Sequence, residues 1–472
     1  MIALDPTTRQ SILRWTYVDG VFFAIMVATA ESFALFFFAR QGIPATQLAL
    51  LSMLPLLVAA LFQLTVPRLI KRTQLGLGIL AMMSLQLVGL GGLVAAAVAE
   101  EHFWLPLGAL IFYWVGGQCA APLWLDWVAQ YCPRDQFESF FGRRTAILQA
   151  VTLLCFLIFA YLIDWGLPFV WVFVISAGAR LCSFVAMAMS LKKTKGFVAK
   201  HATVLQQEEL VSHAQGASQA LKIFVLFVIA GGVFRFAVNT ASPFFLPYMI
   251  NELKLSTIDY VWLTSVPMLG KVIFQINWAQ AKLEGYHYHA VQSSCFLIAL
   301  LPWMWTVSDN FAFLIAVQVL SGILWGGLEF VHTLMAQNLA YGQSRKYASA
   351  QMAVFQSFAL AGALLGGVLL DKAWTSFEVF NLSTALRLLA TVGLVAFAWR
   401  YAYTRVSLRG SYVYLTTVLS VRPSAANLWN GVPVRLRRLT RDRRGPEHKG
   451  PAHEVSHEPR PKHKDRPRLF SR

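Results

Sequence analysis

Charge is scarce in this chain of 472 residues: Asp, Glu, Lys and Arg make up 13% of it, about half the share of a soluble domain. Hydrophobic residues make up 57%, and the mean hydropathy is +0.55. They come in long blocks, without a 3.6-residue or two-residue spacing. That excludes a soluble enzyme and a disordered chain. Cysteine is equally sparse. Cys119, Cys132, Cys155, Cys182 and Cys295 form no CxxC pair and sit in or beside apolar stretches. This excludes a disulfide scaffold and predicts free, buried thiols with no metal site. A GxxxxGK[ST] phosphate loop is missing too, which disfavours ATP-driven pumping by this chain. No HxxxxD or DxxD pattern stands on a loop, as a membrane enzyme for lipid or prenyl substrates requires.

What is present is length. A helix needs about 20 apolar residues to cross the hydrocarbon core. Twelve blocks qualify: 19–39, 46–66, 75–98, 103–130, 145–165, 169–191, 222–250, 257–278, 289–307, 311–337, 348–371 and 378–403. They are continuous and do not alternate apolar with polar residues, so a closed barrel is excluded. The expected fold is therefore an all-α polytopic membrane protein with 12 transmembrane helices. The start, MIALDPTTRQSILRW, has no cleavable signal pattern, and the first span is expected to act as its own targeting segment.

An even number of spans puts both termini on one side, and the Lys/Arg bias selects it. Segments on the N-terminal side carry 16 Lys and Arg ahead of the tail, among them Arg68, Lys71, Arg72, Arg143 and Arg144; the other side carries Arg40, Lys254 and Lys372. Both termini are expected to be cytoplasmic. Residues 192–221 read as a cytoplasmic linker with a short surface helix, between an N-terminal six-helix bundle (1–191) and a C-terminal one (222–403).

The two halves repeat. Pro55, Leu57, Phe62 and Gln63 recur as Pro267, Leu269, Phe274 and Gln275 at an offset of 212. Gln149, Asp164, Ser176 and Arg180 recur as Gln356, Asp371, Ser383 and Arg387 at 207. Aligned mid-span arginines are far less common by chance than aligned leucines. Two pseudo-symmetric six-helix bundles about an axis along the membrane normal follow.

This layout, with a basic central loop and cytoplasmic termini, resembles the major facilitator superfamily. VPRLIKR after the second span keeps the positive charge of that superfamily's gating loop but lacks its glycines and aspartate. WLDWVAQYCPRDQFESFFGRR resembles a Trp/Pro/Phe-Gly-Arg-Arg pattern of uncharacterised bacterial members, which implies a bacterial inner membrane. The fifth span has no glycine before Gly166, so the glycine-rich motif of drug–proton antiporters is missing. The resemblance implies that the first, fourth, seventh and tenth spans line a central cavity.

A mid-span charge costs about 2.5–3.5 kcal/mol and needs a partner or water. Arg180 and Arg387 are duplicated, and a scaffold role is the simpler account. Glu31, Arg235, Lys271, Glu329 and His332 are not duplicated, as a substrate or ion pathway requires. Helical spacing adds Asn239 beside Arg235 and Gln118 on the fourth span. Arg235 and Lys271 would meet an anionic group, and Glu31 or Glu329 would carry a proton. The bland alternative is salt bridges that only hold the bundle. Asp126, Arg143 and Arg144 are either a cytoplasmic gate latch or a topology signal. Asp164 and Asp371 read as caps or interface residues, and the many Trp as lipid anchors.

Residues 404–472 hold 16 of the 40 Lys and Arg but 5 of the 23 Asp and Glu. Proline and charge predict a disordered tail, drawn to the anionic inner leaflet without binding nucleic acid. The function expected is secondary active transport of a small polar or amphipathic solute by alternating access, proton coupling included, by a monomer with no cofactor and no enzymatic activity. The alternatives are a transport-incompetent sensor or scaffold signalling through its basic tail, and a polytopic lipid-modifying enzyme.

Overall fold

The structure is a computed structural model, and it describes residues 6–71, 74–132, 134–193, 217–281, 287–339, 344–402 and 408–419. Helix α1 runs over residues 6–40, as Pro6–Met26, a π-helical turn Val27–Glu31 and Ser32–Arg40. It is followed by α2 (Ala45–Leu69), α3 (Leu75–Ala99), α4 (Trp104–Val128), α5 (Arg134–Asp164) and α6 (Phe169–Lys192). Helix α7 covers residues 217–252, as Ala217–Asn239, a 3-10 turn Ser242–Phe244 and a π turn Tyr248–Glu252. Then come α8 (Thr257–Ala281), α9 (His287–Trp305), α10 (Phe311–Leu339), α11 (Ser344–Asp371), α12 (Ser376–Ala402) and a short α13 (Leu408–Val418). Among the described residues there is no strand.

Nine of these helices are long and apolar enough to cross a membrane by length and composition, among the described residues. Their outer faces are bare hydrocarbon. Val88 and Leu389 are 59% and 70% exposed in mid-helix, a penalty in water and none in lipid. Trp104, Trp165 and Trp374 stand exposed together at the helix ends remote from the N-terminus, where indoles anchor to a membrane interface.

The backbone repeats as the sequence does. After α5, Leu167 and Gly166 donate to the carbonyls of Leu162 and Ile163 at 2.9 and 3.0 Å; after α11, Trp374 and Ala373 donate to Leu369 and Leu370, both at 3.1 Å. This is the left-handed C-terminal cap of a helix. Gly166 sits at φ 97° and Ala373 at φ 66°, an offset of 207; Gly42 at 68° and Lys254 at 51° form the matching pair at 212.

Reciprocal contacts fasten the halves at that same end. Asp164, the last residue of α5, accepts from the backbone N–H groups of Thr257 and Ile258 at 3.2 and 3.1 Å. Asp371, the last residue of α11, accepts from those of Ala45 and Thr46 at 2.9 and 3.1 Å. Each carboxylate therefore caps the exposed N-terminus of a helix in the other half, where the backbone presents unpaired donors and positive partial charge. Gly367 permits the second contact, because a Cβ there would lie 2.9 Å from the Thr46 Cα.

One expectation needs correction. The tail expected to be disordered from residue 404 contains helix α13, with Tyr414 wholly buried. Its hydroxyl lies 3.1 Å from Ser294 Oγ, and Asn277 Nδ2 donates to the Val418 carbonyl at 2.9 Å. The apolar face of α13 outweighs the charge that follows it, so this segment packs. Residues 420–472, and 194–216 of the linker, lie outside the described residues.

Candidate functional site

Glu31 closes the π turn of α1, a helix irregularity that is frequent at functional sites. The wider turn sets its half-buried carboxylate against α4, where Tyr113 Oη donates to Glu31 Oε1 at 2.8 Å. Gln86 of α3 bonds the same hydroxyl. Gln118 lies half-buried further along α4.

In the other half, Lys271 of α8 and Glu329 of α10 form an ion pair at 2.8 Å, with side chains 40% and 44% exposed. Both were expected in the pathway. The structure brings them together as partners. Arg235 of α7 lies with its guanidinium over the Trp325 ring, 5.2 Å from the centroid, and 5.7 Å from that of Phe355, a cation–π arrangement. Asn239 turns back to donate to the Arg235 carbonyl at 2.8 Å. The backbone of His332 lies in α10, and its side chain is outside the described residues.

A second cluster ties α1 to α5 and α6. Arg144 pairs with Asp19 at 3.5 Å, donates to the Thr16 carbonyl at 3.2 Å, and stacks 4.2 Å over Trp124. Ser183 donates to Asp19 at 2.6 Å while accepting from Arg180 at 3.0 Å. Arg144, expected to latch to Asp126, thus holds Asp19. Asp126 is half-buried and Arg143 exposed. Asp19 escaped sequence reasoning because it opens the first apolar block, where a carboxylate reads as a flank. Tyr113 escaped it among 14 Tyr, and the sequence reads Trp325, one of 15 Trp, as a lipid anchor; only folding singles out the ones facing a charge.

Arg387 donates to the carbonyls of Ile298 and Val238 at 3.0 and 3.1 Å and to Ser383 at 3.0 Å. Beside it the C-terminal half holds a cavity of about 320 Å³. Among the described residues no group of three His, Cys, Asp or Glu could hold a metal.

The nucleoside transporter NupG aligns over 84% of this chain and 99% of its own, with a TM-score of 0.60 at 10% identity. A bacterial homolog of the human lysosomal transporter Spinster, inward-facing and unoccupied, aligns over 90% and 100% with a TM-score of 0.55 at 12% identity. The fold is that of these transporters. A POT family transporter in complex with 5-aminolevulinic acid aligns over 84% and 96%, with a TM-score of 0.53 at 13% identity. No family model matches the sequence, and no curated protein matches it. With nine apolar spans and this fold, the protein is an integral multi-pass membrane protein. Glu31, Arg235 and Glu329 stand on α1, α7 and α10.

Proposed function

We propose that the protein is a secondary active transporter that moves a small polar or amphipathic solute by alternating access, coupled to protons. All of α1–α12 cross a bacterial inner membrane as two six-helix halves, with both termini cytoplasmic, in a protein that acts as a monomer. The observation that carries this reading is the set of unduplicated ionisable groups: Glu31 with Tyr113 in one half, Arg235 and the Lys271–Glu329 pair in the other. A duplicated scaffold has no need of charges placed once.

The chemistry follows from their pairings. Lys271 neutralises Glu329 while the carboxylate is ionised. A proton delivered to Glu329 ends that attraction and leaves the ammonium free for a solute anion. Glu31 offers a second loading position, where Tyr113 donates to its charged form. Arg235, held against Trp325, presents a fixed positive charge to the cargo. The Asp164 and Asp371 caps close the outer end, and both must release for the site to open outward. Asp126, Arg143 and Arg144 act at the inner end, where Arg144 exchanges Asp19 for other partners during the cycle. Arg180 holds helices in place, and Arg387 does so with three of its five donors. The basic residues beyond α13 carry a charge that an anionic inner leaflet attracts.

The test is uptake into sealed vesicles from a metabolite mixture under an imposed pH gradient. The wild type is expected to accumulate one solute with the gradient, and Glu329→Gln or Glu31→Gln to abolish that dependence. Accumulation that ignores the gradient and survives both substitutions would remove the proton-carrier roles. Transport of nothing at all would favour the scaffold alternative.

A further inference from the structure

The cavity of about 320 Å³ lies among α7, α8, α9, α10 and α12, and its wall is chemically divided. Tyr260, Trp305 and Trp325 contribute aromatic surface, and Phe245 extends it, its ring 5.2 Å from that of Trp305. Gln318 and Ser321 are polar. Gln318 donates its amide to the Leu263 carbonyl at 2.9 Å, which leaves its side-chain oxygen as an acceptor. Arg387 completes the lining.

Arg387 is 3% exposed and carries a full charge into an apolar half. Its three hydrogen bonds go to two carbonyls and a hydroxyl, all neutral, and use three of five guanidinium N–H groups. Among the described residues, no carboxylate forms an ion pair with it. Its repeat partner Arg180 is treated differently. Ser183 links Arg180 to Asp19, which supplies the missing negative charge. The serines before each arginine fix the correspondence: Ser176 donates to the Met26 carbonyl and Ser383 to that of Ala237, an offset of 211. At that offset Asp19 falls on Ala230. The C-terminal half has the cation, Ala230 in place of the anion, and a cavity beside the cation. A buried charge without a counter-charge is costly, and an anion entering the cavity removes that cost.

We infer that this cavity binds a small aromatic carboxylate of one or two rings, with its carboxylate at the unused Arg387 donors and its ring against Trp305, Trp325 and Tyr260. A ring hydroxyl is met by Gln318 or Ser321. The volume falls in the range of small-molecule pockets, and guanidinium–carboxylate pairing is strong and directional. The inference rests on the transport reading only in making the bound acid the cargo. Binding itself requires no transport.

The test uses the purified full-length protein in detergent, radiolabelled 4-hydroxybenzoate in equilibrium dialysis, and thermal unfolding as a check of the fold. Saturable binding is expected, with 4-hydroxybenzamide competing at least about tenfold more weakly because hydrogen bonds to charged groups are the stronger ones. Acetate, lacking the ring, is expected not to compete. Arg387→Gln should abolish binding but also releases the Ile298 and Val238 carbonyls, so two further variants keep Arg387. Ala230→Asp supplies a counter-charge and Ser321→Phe fills the cavity. Both are expected to weaken binding about tenfold or more in a folded protein. Equal affinity for acid and amide, no saturable binding to folded wild type, or full binding in Ala230→Asp would each overturn the inference. Lost binding beside intact vesicle uptake overturns the cavity alone, and intact binding without uptake overturns the transport reading alone.

Discussion

At the scale of single residues, the helix caps show how a duplicated backbone treats unequal side chains. Gly166 and Ala373 occupy the same left-handed position, and a Cβ at Gly166 would meet nothing within 4 Å. The cost of alanine there is thus one of backbone conformation, about 1 kcal/mol. Ala373→Gly is expected to stabilise the protein by that amount, and Gly166→Ala to destabilise it equally, both read from thermal unfolding in detergent. The Lys271–Glu329 pair is open to a similar test. A double-mutant cycle with Lys271→Met and Glu329→Gln should return a coupling of about 1 kcal/mol, the upper end for partly exposed pairs, and near zero if the two side chains are merely adjacent. Sequence placed both residues in the pathway because charges inside spans are few. It did not pair them, since they lie on different helices and helical spacing relates only residues of one helix.

At the scale of elements, the contacts to test are those that a gate would have to break. The two carboxylate caps work because α2 and α8 each begin at the end of the bundle where α11 and α5 finish. A side-chain cap is worth about 1 kcal/mol, so losing both in Asp164→Ala with Asp371→Ala shifts the balance between closed and open outer ends by roughly thirtyfold. The readout is alkylation of Ser32→Cys, next to the carbonyl that accepts from Tyr260 Oη at 3.4 Å, with the exposed Cys182 replaced by serine. A thirtyfold faster reaction is expected, and an unchanged rate would show that the caps do not hold the halves together. The repeat had identified Asp164 and Asp371 as caps or interface residues. Which helix each one caps was illegible, because the partner lies 93 or more residues away. Helix α13 was hidden for another reason: its apolar face is short and adjoins a strongly basic, proline-rich stretch. Tyr414→Ala should cost about 3 kcal/mol of stability, as expected for removal of a buried aromatic ring, measured by thermal unfolding of the full chain. A cost near zero would mean that α13 is only loosely attached.

For the whole molecule, the charge bias of 16 basic residues on one side against three on the other makes a plain prediction. A C-terminal fusion to a fluorescent protein that matures only in the cytoplasm should fluoresce, and one to a phosphatase active only outside should be silent. The sequence alone determined that the chain is helical and that it belongs in a membrane, because both depend on local composition along the chain. It also picked out which charges break the repeat. Tertiary structure decided the rest: that Glu31 meets Tyr113, that Arg144 holds Asp19, that Lys271 and Glu329 share one ion pair, and that Arg387 faces a cavity with no ion-paired carboxylate among the described residues. In a bundle of uniformly apolar helices the hydrophobic pattern does not say which faces meet. The partners of the few polar groups are set by packing and by the small residues that let helices approach, so they appear only once the chain is folded.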